Sequence, residues 1–286
     1  MPVKRYRVLA VDFDTRAVIL GIEVSNEWEP HIKSMWENNK RGIRDGLIFQ
    51  YEAKDHEQKI ANFIDLGDNP FSLVSFHNQF FRQCRDSFVV GAYYPALVSA
   101  CTLGERILNR MVIHLRDYYK NTPEYKSIYR KDSFDNWELA VRTLSSWQIL
   151  LPDVADHFSD LERMRHRAIH FNPETEENPR SQALSAINAL KSIITKQFSG
   201  IGQQPWYIPG AAGAAYVGKA CEKTPFVKEF VLPSCALVGP NHRLEHSGNG
   251  WKVHDIDYPD LEITDQEFVE LISPSGSELT PQVQHP

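Results

Sequence analysis

Between residues 71 and 198 apolar side chains recur at three- and four-residue intervals, and helix breakers interrupt them at regular distances. A chain patterned this way must bury its apolar stripes helix against helix. The first helix is expected over about 72–90, stopping near Gly91. The second, "YYPALVSACTLGERILNRMVIHLRDYYK", carries Pro95 in its first turn, where a missing N–H costs little. Its stripe runs through Ala96, Ala100, Leu103, Ile107, Met111 and Tyr118 to a stop at Asn121-Thr122-Pro123. A third covers about 134–150. A fourth starts near Asp153 with Val154, Phe158, Leu161 and Met164, and a fifth covers about 180–198 with Leu184, Ile187, Leu190 and Ile194. Five helices with short joints describe an antiparallel bundle.

The flanks read differently. Residues 6–24, "YRVLAVDFDTRAVILGIEV", look like two β-rich runs around an Asp-Thr-Arg turn, a hairpin pattern. Over 29–65 the spacing of Ile32, Met35, Trp36, Ile43, Leu47, Ile60 and Phe63 is helical, up to the break "DLGDNP". Beyond Gly200, "PFVKEFVLP" and "CALVG" read as short β runs, and "HRLEHSGNGWKVHDI" as a hairpin with Asn249-Gly250 in its turn. Residues 6–24 and 225–258 are candidates to share one sheet. The fold expected is α+β: an N-terminal β-hairpin plus helical segment over 1–70, a helical bundle over 71–199, a β-rich region over 200–272, and a disordered tail over 273–286.

Composition narrows the partners. A net charge of −6 over 286 residues excludes a generally basic surface, so any nucleic-acid contact has to come from a local cluster or from a groove shared by two chains. Cys84, Cys101, Cys221 and Cys235 form no CxxC pair and fit free thiols in a reducing compartment. No apolar run reaches the roughly 18 residues of a membrane span, and the start lacks a signal-peptide pattern, so a cytoplasmic protein without membrane contact is expected.

Against that background "DLERMRHRAIHFNPET", residues 160–175, stands out, because it packs Arg163, Arg165, Arg167, His166 and His170 into eight positions before an Asn-Pro break. Spacing alone carries little weight with 11 histidines in the chain; the bundle around it carries more. "RHRAIH", with four residues between Arg165 and His170 and a polar His166 second, resembles the Arg-x4–6-His motif of ribonucleases of the HEPN superfamily. "GAYYPALVSACTLGERIL" is similar to that family's small-residue and acidic positions, Glu105 among them. The resemblance spans about 71–199. It implies an HEPN-like bundle, a homodimer that pairs two motifs in one groove, and an endoribonuclease acting without cofactor or metal as a toxin or phage-defence effector. The partners implied are RNA, a second copy of the chain, and an antitoxin or sensor protein. A family class modified on a tyrosine two residues after the histidine is not matched, since that position is Asn172.

The residue types suit the chemistry. Cleavage through the 2′-hydroxyl needs a base, donors for the charge growing on the phosphoryl oxygens, and an acid for the leaving 5′-oxygen. His170 supplies an imidazole that titrates near neutral pH, Arg165 a planar cation that fits phosphate, and His166 a donor or second proton carrier. On an ideal helix Arg165 and His170 lie about 140° apart, so either the helix ends before His170 or the partners come from two copies. Arg163 also satisfies the motif with six intervening residues. Glu105 either pairs with Arg106 or another cation, or orients Arg165 or His170.

Two metal patterns are weaker. His242 and His246, with Cys221 and Cys235, sit about 13 Å apart if on one strand, too far for one zinc ion. Asp12 and Asp14 in "VDFD" resemble a strand-end magnesium pair, but no phosphate loop accompanies them. No Gly-x-Ser-x-Gly elbow is present. The competing expectation is a non-catalytic HEPN-like module for dimerisation or nucleotide binding, with the β-rich segments doing the recognition.

Overall fold

The structure, a computed structural model, describes residues 3–9, 12–170, 173–201, 203–248, 250–259 and 261–272. It is mostly helical with two small two-stranded antiparallel sheets. The chain forms two compact units, one from Met1–Ala10 with Gly200–Pro286, the other from Val11–Ser199. Among the described residues no helix is long and apolar enough to cross a membrane.

Strand β1 (Arg5–Val8) belongs to the first unit; the second unit holds α1 (Arg16–Gly21), α2 (Pro30–Tyr51), α3 (His56–Leu66), α4 (Ser75–Val89), α5 (Tyr93–Leu115), α6 (Tyr125–Ile128), α7 (Trp137–Ser146), α8 (Val154–Ile169), α9 (Pro173–Glu177) and α10 (Pro179–Phe198). Its axis is α5, which packs against α4, α7, α8 and α10. That explains why Ala96, Leu97, Ala100, Cys101, Leu103, Ile107, Leu108, Met111 and Val112 are all buried, more than a single stripe. Gly104 has a steric reason. A Cβ there would lie 2.4 Å from Leu161 Cδ2 and 3.0 Å from Trp137 Cη2, so glycine alone admits α8 and α7 so close to α5.

Polar side chains lock the other joints. Buried Arg85 donates to the carbonyls of Leu66, Gly67 and Asp68 at 3.4, 2.9 and 3.2 Å, satisfying the end of α3. Buried Asn62 does the same for α4, donating to Phe88 O at 3.1 Å and Val89 O at 3.2 Å, and its own oxygen accepts from Arg180 Nε of α10 at 3.0 Å. The Ser72 hydroxyl and His77 Nδ1 share a hydrogen bond of 2.8 Å inside the core. Burial, and secondarily the Arg110 cation, hold His77 down at about 3.

Three helices of the expected bundle shift at their ends. The first begins at Ser75 because Ser72 bridges to Ser199 and its N–H is taken by Asn78 Oδ1 at 2.8 Å. The second tightens after Leu115 into a 3₁₀ turn, Arg116–Tyr119, which rotates Tyr118 off the stripe and leaves it 43% exposed. The third is shortened to Trp137–Ser146, capped by Asn136, whose side chain accepts from Leu139 N at 2.8 Å. In α2, Leu47 is buried whereas Met35 stays 48% exposed.

The N-terminal hairpin is not formed. Only Arg5–Val8 is strand, and Arg16–Gly21 is the helix α1. Asp14 accepts the Arg16 N–H at 3.1 Å and its side chain at 2.9 Å, turning the chain into a helix whose Ala17 and Leu20 are buried, with α2 and α3 as its neighbours. Tertiary burial overrides the β propensity of Val18 and Ile19.

The unit built from the chain ends contains β1, β2 (Cys235–Val238), β3 (Arg243–Ser247), β4 (Gly250–His254) and α11 (Asp265–Ile272). β1 pairs antiparallel with β2, from Arg5↔Val238 to Val8↔Cys235, so the two ends do share a sheet, through a shorter piece than 6–24. The 243–254 hairpin forms with Ser247 opposite Gly250, which places Gly250 at the start of β4 and not in the turn; Asn249 lies outside the described residues. "PFVKEFVLP" is helical, not extended: Phe226, Val227, Phe230 and Val231 are buried at helical spacing around a π-helical turn. The expected tail, 273–286, also lies outside the described residues. The core joins Ile208, Tyr216, Val238, Phe268 and Val269. Arg5, wholly buried, stacks 5.4 Å from Phe268 and donates to Asp265 Oδ1 at 2.6 Å and Ile263 O at 2.7 Å.

Two outcomes follow for the bundle. Gly104→Val overpacks the α5/α8 contact and lowers stability by about 1–3 kcal/mol, read as a lower urea midpoint at unchanged slope. For His77, the unfolded chain takes up a proton below the ordinary value of 6.5, while the folded one refuses it until about 3. The His77 contribution is therefore complete above pH 6.5 and is lost as pH falls through that window. Urea titrations at pH 7 and pH 5 show a loss on acidification that His77→Gln reduces.

Candidate active site

The fourth helix ends where the motif needs it to. α8 stops at Ile169, and His170 is extended at φ −93°, ψ 142°, with its N–H donated to His166 O at 3.1 Å. Asn172, the expected breaker, lies outside the described residues. The extended backbone turns the His170 ring back over the last helical turn, to 4.5 Å from the His166 ring centroid at an interplanar angle of 50°. The helix does end before His170, as one of the two arrangements weighed from the sequence required, but this brings His170 to His166 and not to Arg165. Both rings are exposed.

Arg165 faces another way, toward α5. Its Nε lies 2.8 Å from Glu105 Oε2, and the two side chains are 29% and 28% exposed. Glu105 follows Gly104, and Arg165 sits one turn beyond Leu161, so the contact that only glycine permits also brings this pair together. The nearby Cys101 thiol is pushed up to about 12 by burial, with Arg165 as the cation acting in the opposite sense. Arg163 is spent elsewhere, in an exposed ion pair with Asp160 one turn back on its own helix. The two arginines differ in their partners: Arg163 pairs within its own helix, whereas Arg165 has a carboxylate partner on another helix.

The four predicted residues therefore form two pairs, Glu105 with Arg165 and His166 with His170. Neighbouring positions on a helix point about 100° apart, so the guanidinium and the imidazoles leave α8 in different directions. Cations in a last turn also complement the helix macrodipole, which accounts for part of the charge without any chemistry. The ion pair across helices and the close approach of the two imidazoles are not explained that way.

Some neighbours were not singled out in the sequence. Tyr94, in the first turn of α5 and 53% exposed, donates its hydroxyl to Ala168 O at 3.2 Å, tying α5 to the end of α8. Ile169 beside it is 55% exposed. Glu105 also stands on the wall of a groove of about 570 Å³, together with Arg106 and Arg110. Arg106 does not pair with Glu105; its guanidinium stacks on Phe80 at 5.3 Å. The signal for these arginines was their i, i+4 spacing on the exposed side of the second helix.

The two metal patterns have other engagements. His242 precedes β3; its Nδ1 donates to Gly239 O at 2.7 Å and its Nε2 meets Arg7, while His246 packs edge-on 5.0 Å from Trp251. Asp14 is held by Arg16 at 2.8 Å, and Asp12 accepts from Phe13 N at 2.8 Å. Among the described residues no group of three or more His, Cys, Asp or Glu is placed to hold a metal ion.

Searches of protein-family models, of curated proteins and of solved structures find no significant match to the chain.

Proposed function

We propose that the bundle is an endoribonuclease of the HEPN type, a homodimer serving as a toxin or phage-defence effector, with His170, Arg165, His166 and Glu105 as its site. The observation that carries this reading is the α8 terminus, where the helix ends at the motif histidine and the motif arginine is held by a carboxylate from α5. In the proposed reaction one imidazole removes the 2′-hydroxyl proton, that oxygen attacks the adjacent phosphorus, and the 5′-oxygen leaves with a proton from the second imidazole. The products are a 2′,3′-cyclic phosphate and a 5′-hydroxyl. Arg165 supplies fixed positive charge where the phosphoryl oxygens gain negative charge. Glu105 aims that guanidinium and is a positioning residue.

The direction of the two pairs favours a site completed by a second copy. Since Arg165 and the imidazoles diverge around α8, a phosphate held by one chain's arginine is better placed to meet a second chain's histidines. Exposed Tyr94 and Ile169 at the same end give two copies apolar surface to bury. A second reading draws on the same ion pair: because Glu105 already neutralises Arg165, the bundle is instead a non-catalytic dimerisation or nucleotide-binding module.

Incubation of structured and single-stranded RNA with the purified chain in EDTA separates the two. Cleavage is expected from the wild type, with losses of about 100-fold or more for His170→Ala and for Arg165→Ala. Undiminished cleavage by His170→Ala removes the assignment, and intact RNA with every chain leaves the module reading. For Glu105→Gln, a pH-rate profile of unchanged shape with reduced kcat is expected. Its stability should change by less than about 1 kcal/mol, because a part-exposed ion pair contributes little.

A further inference from the structure

The groove that Glu105 borders is lined along α5 by a row the site does not use. Thr102, Arg106, Arg110 and His114 follow one another at four-residue intervals, all exposed, on the face of α5 that meets α4. Phe76 and Phe80 of α4 lie opposite, with the Arg110 guanidinium 4.8 Å over Phe76 and that of Arg106 5.3 Å over Phe80. A second hollow of about 230 Å³ shares Thr102 and Arg106 and continues past Phe80 to Val98. Together the two extend along α5 from Val98 to His114, about 24 Å at the helical rise.

The charge of this row is not balanced from within. Among the described residues neither Arg106 nor Arg110 has a carboxylate within ion-pair distance; Glu105 is committed to Arg165, and Asp132, also on the wall, pairs with neither. Two like charges one turn apart cost a helix a few tenths of a kcal/mol, and this in a chain of net charge −6. Each guanidinium lies over a phenylalanine ring on the groove wall, and both arginines are exposed, so their N–H groups remain open to a phosphate. The two cations are about 6 Å apart along the axis, close to the separation of successive phosphates in an extended strand. A cleft between packed helices, whose axes lie about 8–10 Å apart, admits one strand and excludes a duplex.

We propose that the α4/α5 groove is a track for single-stranded RNA, in which Arg106 and Arg110 hold successive phosphates and the strand, roughly four nucleotides long in the groove, runs past Glu105 to the end of α8. Its role in feeding cleavage rests on the nuclease reading; its binding of the strand does not.

The test uses the full chain carrying His170→Ala, so that RNA survives, and measures fluorescence anisotropy of an end-labelled 12-nucleotide RNA over a series of salt concentrations. Arg106→Gln with Arg110→Gln in that background is expected to weaken binding tenfold or more. It should also reduce the slope of log K against log salt by about 1.4, or 0.7 for each lost phosphate contact. Arg44→Gln, which removes a cation paired with Glu57 on another face, leaves both quantities unchanged, and circular dichroism checks that all variants are folded. Wild-type affinity and slope in the double variant overturn the track, as does failure of the parent chain to bind RNA. Arginine-dependent binding of polyglutamate in place of RNA overturns it in favour of an acidic protein partner. The two readings fail separately: binding that depends on these arginines without cleavage by the wild type keeps the track and removes the nuclease, whereas cleavage with unchanged KM in Arg106→Gln/Arg110→Gln does the reverse.

Discussion

The contact of Gly104 with Leu161 and Trp137 sets the spacing from which the rest of the bundle follows. All three are buried, and the absence of a side chain at 104 lets α7 and α8 close on α5 with no gap. Close-packed interiors transmit such a constraint along rigid helices, so the residue next to Gly104 and the one a turn beyond Leu161 are fixed as well. Glu105 and Arg165 are those positions. Their ion pair is weak as a source of stability, being part exposed, yet its geometry is determined by a core contact that is not. In the proposed ribonuclease reading this matters, because an arginine that is to hold a phosphate must stay within a fraction of an ångström of one place.

The end of α8 shows the same dependence from the other side. Val154, Phe158 and Leu161 anchor the helix, and after Ala168 the apolar stripe stops. The chain leaves the helix at His170, and the last-turn imidazoles come together at the surface.

What the sequence made legible were the features with a long period. The five helices of 71–198 were readable because each repeats its apolar spacing over several turns, whereas the sequence leaves the partner of Glu105 open between Arg106 or another cation and Arg165 or His170, and only the packing of α5 on α8 selects Arg165. The misreadings fall on short runs. "RAVIL" and "PFVKEFVLP" are rich in β-branched and aromatic residues, which favour strand, but each is too short to display a period, and burial of Ala17 and Leu20, or of Phe226 and Phe230, decided for helix. The divergence of the Arg165 and His166 directions was calculable in advance. The α4/α5 groove was not, because it depends on which face of the first helix meets which face of the second, and the stacking of Arg106 and Arg110 on phenylalanines expresses that pairing alone.

The two units differ in how much of the chain must be in place before they form. The bundle is continuous in sequence, and its central helix α5 packs on the neighbouring α4 and as extensively on the more distant α10. The other unit needs Arg5–Val8 to find Cys235–Val238 and Arg5 to reach Asp265, 260 residues away. Loop closure costs grow as the logarithm of length, so such pairing is penalised by a few kcal/mol in an unfolded chain and by less once the intervening bundle is compact. Arg5 fixes the register of the shared sheet, because sliding β1 by one residue would leave a buried guanidinium without Asp265 and without the Ile263 carbonyl.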